Sequence, residues 1–243
     1  MERQLSIIDK EMTKMDNKKR NIIIAISVSV VIVALAVIAG IRIFGGFKPE
    51  RYVNAVLSQT MKGEVGAVTR MTKGLSADEA QVQYEIVVTS FMNNVILSEV
   101  SLSDEQKADC LETCKKIFRD MKYEVKSSKK VGDGAYRVSV EIQSADVLQK
   151  MKTLLSAETD RIYAKMEAAE YQGTLEEIEQ QMKKEYADSV PAILKTAYET
   201  MEYKEAETIV LNVKKGENGL YGIDSAELND FIVKILGLTT NQD

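Results

Sequence analysis

The residue types that usually carry enzyme chemistry are absent or scattered in this sequence. It contains no histidine, which removes histidine bases, histidine-containing triads and imidazole metal sites. Its two cysteines, Cys110 and Cys114, share the apolar stripe of a helix with Leu111, Ile117, Phe118 and Met121. A thioredoxin-like pair has two intervening residues and a helix start that favours the thiolate. This pair has three and sits in a helix interior, where a disulfide would need unfavourable geometry, so both read as buried free thiols. Carboxylates are abundant, above all Glu167, Glu170, Glu176, Glu177 and Glu179. Glycoside hydrolysis needs two carboxyl groups held about 5 to 9 Å apart with separated pKa values, whereas this spacing describes the solvated face of a helix. Gly132-Asp133-Gly134 lacks the Lys-Ser/Thr of a phosphate loop and reads as a turn. Tyr136, Tyr221, Tyr198 and Tyr203 have two readings, pocket lining on a concave sheet or half-buried packing. No residue is therefore assigned a catalytic, cofactor-binding or metal-ligating role, and no cofactor is implied.

These side chains must be positioned by elements whose periodicity is plain. Tyr52, Val53, Val56, Leu57 and Met61 mark one helical face after Pro49, which suits a first helical turn. Ser76 with Glu79, Ser103 with Gln106 and Thr174 with Glu177 have the spacing of capping boxes. The first opens a helix with Ala80, Tyr84, Val87, Val88, Phe91 and Val95 on one side, and the second opens the helix of the two cysteines. A helix carrying Leu148, Met151, Leu155, Ile162, Met166 and Ala169 precedes Gly173. The third box starts another, with Leu175, Ile178, Met182, Tyr186, Val190, Leu194, Ala197 and Met201 along one side and Pro191 expected to kink or divide it. Tyr136, Val138, Val140 and Ile142 alternate with polar residues, as in a strand with one dry face, paired with a strand near residues 123–129. Ile209, Leu211 and Val213 repeat that pattern before Asn218-Gly219, the strongest hairpin signal in the chain. Asp224 is expected to cap a last helix, with Glu227 answering it as in the other boxes.

Residues 22–41 form an uncharged apolar run that as a helix would extend about 30 Å, the thickness of a bilayer core. Six Lys or Arg precede it, which predicts a cytoplasmic N-terminus. The expected organisation is a short cytoplasmic tail (residues 1–21), a single transmembrane signal-anchor helix (22–41), a linker (42–48) and an extracytoplasmic α+β domain (49–243). From Glu50 onward 24 basic residues face 33 acidic ones, a balance that repels nucleic acid and anionic surfaces.

The segments KVGDGAYRVSVEI (residues 130–142) and VLNVKKGENGLYGID (210–224), with their flanking helices, resemble the nuclear-transport-factor-two-like, or cystatin-like, superfamily. Within it they are most similar to domains that Gram-positive bacteria display behind one N-terminal anchor. The resemblance implies helices packed on a strongly curved antiparallel sheet with a cavity for a ligand. The fold expected is thus α+β, an N-terminal transmembrane helix followed by a helix-rich domain whose hairpins form a curved sheet. The function expected is a membrane-tethered binding or interaction domain of the cell envelope. Its partners are the lipid bilayer through residues 22–41 and an unknown envelope protein or small ligand, with no nucleic acid. The alternatives are a carboxylate-dependent envelope hydrolase and a non-binding structural scaffold.

Overall fold

The computed structural model describes residues 47–72, 74–97, 100–217 and 219–238. The chain enters at Phe47 and turns at once into helix α1, Pro49–Lys62. Pro49 starts it without loss, because the first amides of a helix have no internal partner. Ten of its fourteen residues are buried, Ser58, Gln59 and Thr60 among them, so α1 is a central helix enclosed on nearly all sides. Gly63 ends it in the left-handed conformation, donating its amide to the Gln59 carbonyl. A Cβ there would lie 2.9 Å from the Tyr84 ring, so backbone and packing both require glycine.

A short helix α2 (Val65–Met71) leads to α3 (Ala77–Phe91), which continues as one π-helical turn, Met92–Ile96. Helix α4 (Asp104–Asp120) follows, then strands β1 (Lys122–Gly132) and β2 (Ala135–Gln143). Helices α5 (Val147–Glu167) and α6 (Leu175–Glu199) form a helical hairpin before β3 (Glu207–Lys215), β4 (Tyr221–Ile223) and the last helix, α7 (Ser225–Ile235). All three expected capping boxes are present, at Ser76, Ser103 and Thr174. Pro191 does not divide α6. Both cysteines are free and fully buried.

The strands form one antiparallel sheet in the order β1-β2-β3-β4. Helices α1 and α7 pack against it, while α2, α3 and α4 pack on α1, and α6 lies on α4 with α5 outside it. Ser128 Oγ donates to Glu50 Oε1 (2.6 Å), tying the start of α1 to β1. Phe91, Phe118, Ile117, Ile142, Leu211 and Phe231 belong to the core between these layers.

The α+β class stands, but two parts of the expected fold are corrected. The sheet is open and not strongly curled: β4 has only three residues and pairs only with β3, so nothing closes the far edge. Among the described residues no helix is long and apolar enough to cross a membrane. The transmembrane helix expected at residues 22–41, with its cytoplasmic tail at 1–21, lies outside the described residues. The membrane-embedded, extracytoplasmic and cell-envelope assignments therefore have no helix among those residues to rest on and are withdrawn. The lipid bilayer goes with them as a partner.

Beyond β4 the rim of β3 is exposed, and the expected partner of Asp224 has been diverted to it. Asp224 caps α7 through the Ala226 amide, but Glu227 reaches across to β3. Its Oε2 accepts from the Asn212 backbone amide (2.6 Å) and its Oε1 from the Asn212 side chain (2.8 Å). Lys234, two turns later, pairs with Glu207 at the other end of the same rim (2.7 Å). A helix laid along an edge strand satisfies and shields its open backbone. The opposite edge, β1, is guarded by Lys122, Lys126, Lys129 and Lys130 and by a register shift between Val125 and Ser127.

Candidate functional site

Strand alternation divides the sheet into a dry face and an open one. Val138, Val140 and Ile142 of β2 and Leu211 and Val213 of β3 are buried beneath the helices. The alternate residues, Arg137, Ser139 and Glu141 on β2 and Thr208, Val210, Asn212 and Lys214 on β3, lie on the open face. Val210 remains 48% exposed there.

The register decides which charges meet. Lys129 stands directly opposite Arg137, Arg137 opposite Asn212, and Lys214 opposite Ala135. With strands about 4.8 Å apart and a rise of about 3.3 Å per residue, Lys129 and Arg137 are immediate neighbours and Lys214 stands roughly 12 Å from Lys129 across three strands. Like charges directly opposite each other destabilise a sheet, yet none of the three forms an ion pair among the described residues. The other two lysines of this face are engaged. Lys126 bridges Glu124 (2.5 Å) and Glu141 (3.0 Å), and Lys122 sits 3.8 Å over the Tyr203 ring. Glu227, the carboxylate at the β3 rim, is committed to Asn212. The hairpin end of the open face is thus a group of uncompensated cations on a chain whose net charge is −5. A planar guanidinium with two available edges and two flanking ammonium groups can grip a carboxylate by paired hydrogen bonds.

The four tyrosines singled out in the sequence form two separate pairs. Tyr136 and Tyr221 meet at the hairpin end (6.1 Å between centroids), where Phe47 stacks on Tyr221 at 3.6 Å and 3°. Burial pushes the Tyr221 hydroxyl above its ordinary value. At the other end Tyr198 donates to Asp120 Oδ2 (2.7 Å) and Tyr203 to the Asp120 carbonyl (2.8 Å). The Asp120 hydrogen bond raises Tyr198 to about 12. Both pairs act as packing and fastening groups between elements.

The carboxylates do not converge. Glu167, Glu170, Glu176, Glu177 and Glu179 are exposed around the end of the α5–α6 hairpin, and Glu177 is used in its capping box. No Asp or Glu is buried among the described residues. The carboxyls whose acidity departs from normal are all shifted down by hydrogen bonds and cations, Glu158 and Glu185 included. A general acid needs the opposite shift. Nor could any group of three or more Asp, Glu or Cys among the described residues hold a metal ion. The hydrolase alternative is corrected on these grounds. The tethered binding domain and the tethered scaffold are set aside with the membrane span.

Comparison with family models, curated proteins and solved structures found no match to this chain. The cationic group on the sheet has no local signature in the sequence: KVGDGAYRV reads as a turn, and the opposition of Lys129 to Arg137 depends on the pairing register.

Proposed function

We propose that this protein is an association module that recognises a carboxylate-rich protein segment on the hairpin end of its open sheet face. Lys129 and Arg137 carry that reading, because they face each other at a cost to the sheet and neither forms an ion pair among the described residues. Ser127, Ser139 and Val210 provide short, uncharged ground around them. The acidic chain as a whole repels long polyanions, whereas a few carboxylates on a polypeptide match three cations closely. An incoming carboxylate neutralises the opposed pair, so binding relieves a repulsion that the free protein carries.

The test uses the full-length chain and a fluorescein-labelled hexaglutamate peptide, read by anisotropy. Binding is expected at low salt and should weaken steeply as salt rises. Arg137→Glu should abolish it, and it should also raise the midpoint of thermal unfolding by about 1–4 °C, because a cross-strand ion pair worth roughly 0.2–1 kcal/mol replaces a repulsion. Lys152→Glu, on the exposed side of α5, should change neither. Unchanged peptide affinity in Arg137→Glu, or a loss of stability, would remove the basis of the proposal.

A further inference from the structure

We infer that the segment seated on the cationic sheet face is the α5–α6 tip of a second copy of this chain; this rests on the proposed reading of that face and names its partner. The outer half of the helical hairpin stands clear of the body. From Leu175 to Tyr186 no residue is buried, and from Lys152 to Glu167 only Ile162 is. Tyr186, Leu154 and Leu155 still pack partly on the core, so about ten residues of helix at 1.5 Å each make a projection of roughly 15 Å.

At its end Leu175 is 79% exposed, the greatest exposure of any large apolar side chain among the described residues. Around it lie exposed Glu167, Glu170 and Glu176, none of them ion-paired among the described residues. The tip is therefore an apolar knob in an acidic rim. The sheet face offers the converse, with half-exposed Val210 opposite Ser139, diagonal to Arg137, and with Lys129 beyond that arginine on β1. The arm is also stiffened before docking. Glu185 accepts from Arg161 (2.7 Å), Lys165 (2.8 Å) and Tyr171 (2.5 Å), which fastens α5 to α6 and to the loop between them, so little ordering is required on association.

Tip and face are different surfaces, so the contact is heterologous and each pair of copies leaves one tip and one face unused. Such a contact propagates as an open chain unless the rotation closes a ring. Sedimentation velocity of the full-length chain at low salt should show the average mass rising with concentration, with return to the unassembled form at high salt. Any association through the apolar residues 22–41 is common to every variant, so the readout is the difference between them. Lys129→Gln/Arg137→Gln should abolish the salt-sensitive growth, as should Glu170→Gln/Glu176→Gln. Mixing the two variants should restore it only as far as paired chains, because one supplies the only working tip and the other the only working face. Absence of salt-sensitive growth in the unaltered chain overturns the inference, as does its persistence in either variant. If growth is absent while hexaglutamate still binds, the second copy is wrong and the face reading stands; if hexaglutamate also fails to bind, both fall.

Discussion

Glu227 shows how far a single side chain can depart from its local pattern. Three residues after Asp224 it has the spacing of a capping partner, as Glu79, Gln106 and Glu177 do at their own helices. It instead satisfies two donors of Asn212, fifteen residues earlier. The reason is supply and demand for hydrogen bonds: β4 ends at Ile223, so the Asn212 amide on the outer side of β3 has no strand to donate to. Glu227→Ala should cost about 1–3 kcal/mol, the penalty for stranding a partly buried donor. Glu227→Gln keeps one acceptor and should cost less than half as much. Urea unfolding of the two variants checks this, and equal losses would mean that the contact acts by charge alone. Capping boxes are readable because their partners are three residues apart, whereas the demand that captures Glu227 is created by a strand.

Among the longer helices, the two of the helical hairpin are the least buried and the most dependent on ion pairs. The α6 stripe from Leu175 to Ala197 is continuous in sequence, yet only Ala187, Val190, Leu194 and Ala197 are buried, with Tyr186 and Ile193 packed partly against the core. Periodicity identifies the face that turns inward but not where the neighbouring element stops. In the projecting half, Glu185 is held to about 2 by its hydrogen bonds to Lys165, Tyr171 and Arg161, from an ordinary 4.5. Since the folded value lies below the unfolded one, the stabilisation is complete above about 4.5 and is lost as pH falls through about 2. Hydrogen-exchange protection in the outer halves of α5 and α6, taken relative to the intrinsic rate at each pH, should therefore fall across that window before the sheet is affected. Glu185→Gln should show the lower protection already at neutral pH and little further acid dependence. An acid transition of the hairpin that is unchanged in Glu185→Gln would assign the effect to other groups. Two features of the helices had no local signal: the π turn at Met92–Ile96 and the separate helix Val65–Met71.

For the molecule as a whole, the two thiols report on the shared core. Burial raises Cys110 to about 11 and pushes Cys114 up as well, and both belong to the core cluster that joins α1, α3 and α4 to the sheet. Native protein should accordingly resist thiol reagents, and both cysteines should react together with a dependence on urea that matches loss of circular dichroism. A reaction independent of urea at one of them would show that α4 opens alone.

The sequence by itself determined the mixed α+β class, both hairpins, three helix starts and the burial of both cysteines, because each follows from spacing within a few residues or from strict alternation. Tertiary structure decided the enclosure of α1 with its polar residues, the open and uncurled sheet, the exposure of Leu175 and the confrontation of Lys129 with Arg137. Those depend on which elements become neighbours and in what register, through the summed packing of residues far apart in the chain, which no local pattern encodes.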